Sequence, residues 1–141
     1  MLDQILCIDD DPITLMLCKK VISKSEFSNE VITAQNGEEA LHHFNNLKYK
    51  KNKDSSNRKP ELIFLDLNMP VMGGWEFLDH FTSLDYSEFN SINVIVLSST
   101  IDPDDLIKAK KYPIIIDFLS KPITLQMLEY LKKKISMQTT L

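Results

Sequence analysis

Three aspartates each follow directly after a short apolar run. Asp9 and Asp10 come after Gln4 to Ile8, and Asp66 comes after Leu62 to Leu65. Ligands of open α/β sheets bind at the carboxyl ends of the strands, so neighbouring strands would bring these carboxylates into one pocket. Carboxylates that close repel one another unless a cation neutralises them, and oxygen ligands suit Mg²⁺ or Mn²⁺. The sequence therefore predicts a metal site formed by the three aspartates.

Asp66 has the surroundings of a nucleophile. The pair Gly73-Gly74 follows it and predicts a turn whose backbone passes close to a bound ligand. A carboxylate that attacks phosphorus forms an aspartyl phosphate, whose developing negative charge a cation and an ammonium group would stabilise. Lys121, after the fifth apolar run, is the expected ammonium group, and Ser98, at the end of the fourth, is the expected hydroxyl donor. This set indicates phosphoryl chemistry.

A single aspartate after a strand is more often a turn former or a helix cap than a ligand. Asp11, which precedes Pro12, is interpreted in that way, as an acid at the start of the first helix. The functional interpretation of the other acids depends on their combination with a hydroxyl and a lysine at further strand ends. Turn chemistry alone does not require that combination.

The elements that position these residues are short apolar runs alternating with segments of helical periodicity. This alternation is typical of a parallel sheet covered by helices on both faces. The five predicted strands are Gln4 to Ile8, Glu30 to Ala34, Leu62 to Leu65, Asn93 to Leu97 and Asp117 to Leu119. The five predicted helices begin after Pro12, after Asn36-Gly37, at about Gly74, near Pro103 and after Thr124. In a right-handed sheet ordered 2-1-3-4-5, the first and third strands are neighbours, so the acids converge.

The spacing also predicts which side chains two of the helices bury or expose. Ile13, Leu17 and Val21 fall on one face of the first helix and are expected to pack on the sheet. Thr124 is the expected N-cap of the fifth helix. The lysines from Lys132 to Lys134 are expected in its C-terminal turn, where they would complement the helix dipole.

Length and charge limit the class of protein. A chain of 141 residues with 43% hydrophobic content suits one domain with one core. Its 16 basic and 20 acidic side chains leave a net charge of −4, which argues against nucleic acid as the main partner. The segment 48–60 is rich in lysine and lacks an apolar period, so it is predicted to be a long basic loop that favours solubility.

Cysteine usage and the N-terminal sequence bear on location. Cys7 and Cys18 lie in apolar runs and match no metal-ligand or disulfide spacing, which suits buried thiols in a reducing compartment. The first residues contain no secretion signal and no membrane-spanning stretch. We therefore expect a cytoplasmic protein without a membrane partner.

Five motifs stand in order along the chain: ILCIDDDP, QNGEEAL, LDLNMPVMGG, VIVLSS and DFLSKP. With these motifs the chain resembles the receiver domain of two-component response regulators over nearly its whole length. The resemblance implies a flavodoxin-like, doubly wound α/β fold with a five-stranded parallel sheet in the order 2-1-3-4-5 and five helices. It implies one receiver domain over residues 1–141, with no output domain after the fifth helix.

The resemblance also implies a role for each site residue. Asp66 would be the phospho-acceptor, and Asp9 and Asp10 the acidic pair that holds Mg²⁺. Asp10 and Asp66 would bind the ion directly and Asp9 through water, with the backbone carbonyl of Asn68 as a further ligand. Lys121 would contact the phosphoryl group.

A switch pair follows from the same resemblance. Ser98 fills the switch hydroxyl position and Phe118 the switch aromatic position, and the two would rearrange together on phosphorylation. The Lys121-Pro122 peptide would be cis. Two departures from the family pattern are the length of the basic loop and the segment YPIIID before Phe118, where a small Ala-Gly run is often found.

The implied function is a signalling switch rather than an enzyme. A histidine kinase or a histidine phosphotransfer protein would supply the phosphoryl group. An unidentified downstream protein or a second receiver copy would bind the output surface. That surface would comprise Pro103 to Lys111, Asp117 to Leu119 and Thr124 to Ile135. The sequence does not identify the kinase, the pathway or the lifetime of the phosphoryl group.

Two alternatives share parts of this pattern. A degenerate receiver would act as a binding scaffold without phosphorylation, although every site position carries a competent residue. A phosphatase of the haloacid-dehalogenase-like class would also use an aspartyl phosphate. That class needs an aspartate two residues after the nucleophile, where this chain has Asn68.

Overall fold

One five-stranded parallel sheet, in the order β2-β1-β3-β4-β5, forms the centre of the protein. The computed structural model describes residues 1–49 and 58–139, with side chains to residue 136. The strands are β1 (Leu2–Ile8), β2 (Ser28–Ala34), β3 (Leu62–Leu65), β4 (Asn93–Ser98) and β5 (Ile115–Ser120). The α-helices are α1 (Pro12–Lys24), α2 (Gly37–Tyr49), α3 (Gly74–Phe81), α4 (Pro103–Ala109) and α5 (Leu125–Thr139). The predicted fold class and strand order are confirmed.

β3 is apolar along its whole length, and β1 is apolar from Ile5 to Ile8, because helices cover both faces of the sheet. On one face, β1 contributes Leu6 and Ile8 to a core cluster that includes Phe44 of α2 and Phe77 of α3. On the other face, the alternate residues of β1 pack in a second cluster, whose members include Ile5, Cys7, Ile22, Phe64 and Leu128. Side chains of successive strand residues point to opposite faces, which explains why one strand supplies both clusters.

The predicted buried face of α1 is wrong for Ile13 and Leu17, whereas Val21 is partly buried against the second core cluster. The helix buries Leu15, Cys18 and Ile22, whereas Ile13 is 63% exposed and Leu17 is 42% exposed. Apolar residues occur around most of this helix, so its spacing fits two faces equally well. Packing against the second core cluster selects one of them.

The ends of α3 and α2 also differ from the prediction. α3 ends at Phe81 rather than near Leu84, and a 3-10 helix, Leu84–Phe89, follows it. α2 continues to Tyr49, so the predicted start of the basic loop at Lys48 is wrong; Lys48 lies over the ring of Tyr86 at 5.0 Å, which holds this last turn. Residues 50–57, which carry most of the predicted loop, lie outside the described residues.

α5 begins as predicted but is longer. The Thr124 hydroxyl accepts the Met127 N–H at 3.1 Å, which confirms the N-cap. Because the helix continues to Thr139, Lys132 and Lys134 lie in its middle and not in a C-terminal turn. They instead donate hydrogen bonds to backbone carbonyls, Lys132 to Ser25 at 2.7 Å and Lys134 to β5 at 2.6 Å. No helix in the described part of the chain has the length and apolar character needed to cross a membrane.

Candidate functional site

The ends of the two central strands hold the predicted acids. The Asp9 N–H donates to the carbonyl of Ala34 at 3.0 Å, and the Asp66 N–H donates to the carbonyl of Ile8 at 2.9 Å. The register pairs Ile8 with Leu65, so the residues that follow them lie side by side. Backbone pairing of β1 with its neighbours therefore positions Asp9 and Asp66 at one edge of the sheet.

The three carboxylates converge. One carboxylate oxygen from each of Asp9, Asp10 and Asp66 lies within 4.8 Å of the others. Asp9 and Asp66 are buried, at 4% and 6% exposure, whereas Asp10 is exposed at the mouth of the pocket. The structure thus brings together the acids that the sequence placed after different strands.

Lys121 reaches the same pocket from the end of β5. Its Nζ lies 2.6 Å from Asp9 Oδ2 and 3.5 Å from Asp66 Oδ1. Its backbone N–H donates to the carbonyl of Ser98 at 2.7 Å, and the Lys121-Pro122 peptide is cis, as the resemblance implied. The other Asp9 oxygen accepts the Asp11 N–H at 3.0 Å. Both oxygens of Asp9 are therefore engaged by the protein itself.

The electrostatics of the pocket leave Asp66 poorly neutralised. Burial raises the pKa of Asp66, the neighbouring Asp9 raises it further, and Lys121 and the Asn68 N–H offset only part of this. Burial alone would lower the pKa of Lys121, but its hydrogen bond to Asp9 and the charges of both carboxylates raise it. The ammonium group thus lies closer to Asp9 than to Asp66, and the buried Asp66 carboxylate keeps a raised pKa.

The donor set fits a hard divalent cation. The candidate ligands are carboxylate oxygens, which Mg²⁺ prefers, and the exposed Asp10 leaves the site accessible from solvent. Asn68 is exposed two residues after Asp66, and its N–H lowers the pKa of the Asp66 carboxyl. Its carbonyl as a metal ligand stays an expectation from the resemblance.

The loop after Asp66 needs glycine for close packing. A side chain at Gly74 would place its Cβ 2.7 Å from the carbonyl oxygen of Asp66 and 2.9 Å from the Cα of Leu67. None of the described glycines has a positive φ; in this loop Val71 takes that conformation, with φ of 68°. Gly74 therefore lets α3 begin directly against the backbone of the acceptor residue.

The predicted switch residues lie on adjacent strands. Ser98 is 2% exposed, and its hydroxyl donates to the carbonyl of Thr100 at 2.7 Å. Phe118 is half-buried on β5 and pairs with Val96 in the register. The Ser98 hydroxyl is thus directed to the β4–α4 loop in this structure, and its contact with a phosphoryl group stays a prediction.

A charged network that was not predicted from the sequence lies beside Phe118. The Asp117 carboxylate accepts the Phe118 N–H at 2.8 Å, the Tyr130 hydroxyl at 2.7 Å and Lys134 Nζ at 3.0 Å. Burial alone would raise the pKa of Asp117, but these hydrogen bonds outweigh it and hold the pKa below its usual range. The sequence contained one sign of this network: Tyr130 and Lys134 are four residues apart on α5 and therefore lie on the same face of the helix.

Asp11 has the role that the sequence predicted. Its side chain caps α1 by accepting the N–H of Ile13 at 3.0 Å and the hydroxyl of Thr14 at 3.0 Å. These bonds hold the pKa of the Asp11 carboxyl below its usual value. Asp11 therefore fixes the start of the helix that follows the acidic pair.

Comparison with known proteins identifies the family. Residues 5–133 match the model of the response regulator receiver domain. The chain belongs to this family. Receiver domains are signalling regulators rather than classical enzymes, they typically bind Mg²⁺ at an acidic pocket, and they interact with histidine kinases and downstream effectors.

Three relatives illustrate the similarity. A two-component response regulator from Cytophaga hutchinsonii is 32% identical, with a TM-score of 0.82, and the match covers 95% of this chain and 96% of that one. The phosphorylated cyanobacterial phytochrome response regulator RcpA is 25% identical, with a TM-score of 0.70, over 96% of this chain and 91% of that one. The transcriptional regulatory protein PrrA of Mycobacterium tuberculosis is 30% identical over 122 residues, 86% of this chain. This receiver domain spans 45% of the length of PrrA.

Proposed function

We propose that this receiver domain is a phosphorylation-dependent switch whose acceptor is Asp66. The observation that carries the proposal is a buried, poorly neutralised carboxylate beside two further acids and a lysine. Mg²⁺, or Mn²⁺ in its place, would be held by Asp9, Asp10, Asp66 and the backbone carbonyl of Asn68. When bound, the ion supplies positive charge against the acids and the incoming phosphoryl oxygens.

The proposed reaction is an in-line phosphoryl transfer. A carboxylate oxygen of Asp66 attacks the phosphorus of a phosphohistidine, an O–P bond forms and the P–N bond breaks. The departing imidazole keeps the electron pair and takes up a proton. Lys121, whose Nζ is already 3.5 Å from Asp66 Oδ1, would hold a phosphoryl oxygen and stabilise the developing charge.

Ser98 and Phe118 would convert this local event into a change of shape. The Ser98 hydroxyl carries one proton, so donation to a phosphoryl oxygen requires it to leave the carbonyl of Thr100. Its movement would vacate space into which the half-buried Phe118 ring can turn. The phosphoryl group would then favour one of two arrangements by its differential contacts.

The phosphoryl donor is proposed to be a protein, a histidine kinase or a histidine phosphotransfer protein. Support comes from α1, which begins beside the acids and exposes Ile13 by 63%, Met16 by 50% and Leu17 by 42%. Exposed apolar residues in one patch indicate a protein contact, and a small-molecule donor would not need them. The relative RcpA is known in a phosphorylated state, which supports phosphorylation of this chain irrespective of the donor.

The output surface is proposed to be α4, β5 and α5. It lies next to Ser98 and Phe118 and presents Lys110, Lys111 and the 61% exposed Ile107 to solvent. A mixture of charged and apolar groups suits a reversible interface with a downstream protein or a second receiver copy. Charge reversal at Lys110 and Lys111 should weaken that binding while small-molecule phosphorylation of Asp66 remains unchanged.

The test of the proposal is intact-mass spectrometry with acetyl phosphate or a phosphorylated histidine phosphotransfer protein. We expect one phosphoryl adduct that requires Mg²⁺ and is lost in Asp66→Asn. Glu88→Gln, which neutralises an exposed carboxylate on the 3-10 helix, is the matched control and should react like the parent. An adduct that persists in Asp66→Asn, or that forms equally in excess EDTA, contradicts the assignment. A chain that takes no adduct, yet binds its partner equally with and without Mg²⁺, would be the scaffold.

A further inference from the structure

α4 is weakly packed. None of its seven described residues is buried, and Leu106 and Ile107 are 40% and 61% exposed. A helix that buries so little apolar surface is not held in place by the hydrophobic core. Its position must therefore depend on individual side-chain contacts.

Among the described residues, four side-chain contacts join α4 and the residues just after it to α3. Trp75 Nε1 donates to Asp105 Oδ1 at 3.2 Å. Lys108 Nζ lies 4.9 Å from the centre of the Trp75 ring, and the Tyr112 ring stacks on it at 5.5 Å. The Tyr112 hydroxyl donates to Asp79, one turn after Trp75. We call these five residues the α3–α4 clamp.

The clamp is suited to hold through neutral pH. Burial, followed by the hydrogen bond to Asp79 and its charge, raises the pKa of Tyr112 to about 12, so the hydroxyl keeps its proton. The other contacts combine an indole N–H, a cation over a ring and stacked rings, which are attractive in this geometry. All four contacts end on Trp75 or Asp79 of α3.

The residues before α4 connect the clamp to the phosphorylation site. The carbonyl that accepts the Ser98 hydroxyl belongs to Thr100, two residues before Asp102, which caps α4. This short loop is thus held at one end by Ser98 and at the other by a helix that the clamp fixes. The more firmly α4 is held, the more it costs to separate Thr100 from Ser98.

We propose that the α3–α4 clamp, centred on Trp75, holds α4 and the preceding loop in the observed position and so restrains the Ser98 hydroxyl from turning to Asp66. The inference rests on the proposed function, because it requires a phosphoryl group at Asp66. Loosening the clamp should favour the arrangement in which Ser98 faces that group, and should strengthen binding of a phosphoryl mimic. Mg²⁺ binding alone should not change, because the acids lie on other loops.

The experiment uses Tyr112→Phe, which removes one hydrogen bond and keeps the stacked ring, and Lys108→Met, which removes the cation above Trp75. The dissociation constant of Mg²⁺ alone is measured by calorimetry, and that of beryllofluoride at saturating Mg²⁺ by fluorine NMR. Each variant should bind beryllofluoride about threefold more tightly than the parent. The lost contact is a modest one, and it stabilises only the arrangement in which Ser98 donates to Thr100. Their Mg²⁺ affinities should equal that of the parent.

The chain offers matched controls where α2 meets the 3-10 helix. Tyr86→Phe removes a hydroxyl that donates to Asn45 Oδ1 at 2.9 Å, and Lys48→Met removes a cation 5.0 Å from the Tyr86 ring. Both should leave the beryllofluoride affinity unchanged. They test whether the effect is specific to the clamp or follows from any lost surface contact.

The outcomes separate the clamp from the proposed function. Clamp variants that bind beryllofluoride no more tightly than the parent, or controls that show the same gain, overturn the clamp. Variants that lose affinity for Mg²⁺ as well as for beryllofluoride indicate general destabilisation, which also overturns it. A parent chain that binds Mg²⁺ but no beryllofluoride overturns the proposed function itself, and this is recognised before any variant is made.

Discussion

Replacing Asp66 with Asn should stabilise this receiver domain at neutral pH. The carboxylate is 6% exposed and lies among two other acids, whereas Asn has a similar shape and no charge to desolvate. Functional sites often reduce stability because they hold charges that chemistry requires and folding does not. The site is therefore expected to carry a measurable cost in the free energy of unfolding.

The distances allow a rough magnitude. With an effective dielectric constant of about 20, repulsion between Asp66 and Asp9 within 4.8 Å is about 3.5 kcal/mol, and attraction to Lys121 at 3.5 Å is about 4.7 kcal/mol. Asp10 adds a smaller repulsion because it is exposed and screened by solvent. The pair interactions nearly offset one another, so desolvation decides the sign. We expect Asp66→Asn to gain about 1 to 2 kcal/mol, or about 3 to 7 °C in Tm.

The gain should depend on pH in a defined direction. The pKa of Asp66 is raised in the folded protein, so between an unfolded value of about 3.9 and that raised pKa the folded state binds more protons. The stability of the parent therefore falls relative to the variant as pH rises through this window. Below a pH of about 3.9 the two proteins should be equally stable as far as this group is concerned.

The assay is urea denaturation at several pH values, with and without Mg²⁺. At about one hundred times its dissociation constant, Mg²⁺ should stabilise the parent by about 2.7 kcal/mol and close the gap, because the variant lacks one ligand. Glu88→Gln, an exposed carboxylate, should change stability by only a few tenths of a kcal/mol. A variant that is less stable than the parent at pH 7, or that gains equally from Mg²⁺, refutes the electrostatic argument.

Three further predictions concern neighbouring residues. Mg²⁺ affinity, measured by calorimetry, should fall about tenfold in Asp10→Ala and less in Asp9→Ala, because Lys121 and a backbone N–H already engage Asp9. Equal losses in the two variants would show that the proposed ligand set is wrong. Ser98→Ala should weaken beryllofluoride binding about fivefold without changing Mg²⁺ affinity, because one hydroxyl donor is lost. An unchanged fluorine NMR titration would show that the Ser98 hydroxyl does not bind the phosphoryl mimic. Lys134→Met should lower stability by about 1 kcal/mol at pH 7. Because the pKa of Asp117 is lowered, this loss should shrink as pH falls below about 3.9, and a pH-independent loss in urea titrations would contradict the ion-pair explanation.

The sequence alone determined the sheet and the composition of the pocket. β3 has the predicted bounds, and the other strands extend the predicted runs by one or two residues at one end, or in β5 at both ends. Buried parallel strands must be apolar throughout, so their positions are visible in the sequence. Since ligand residues follow strand ends, the chain order was sufficient to bring Asp9, Asp10, Asp66, Ser98 and Lys121 to one edge.

The tertiary structure decided what local spacing leaves open. Apolar residues surround α1, so only packing on the second core cluster shows that Leu15 is buried and Ile13 is exposed. The division of Lys121 between Asp9 and Asp66 likewise depends on distances of 2.6 and 3.5 Å that no motif contains.

The α3–α4 clamp shows the same limit most clearly. Trp75 is in α3, Tyr112 follows the end of α4 far along the chain, and neither lies in a recognisable pattern. Their rings stack at 5.5 Å because the sheet order places α3 and α4 next to each other. Local sequence specifies which residues can enter an element, because propensity and periodicity act over a few residues. Contacts between elements depend on how whole helices and strands pack, and only the folded chain defines them.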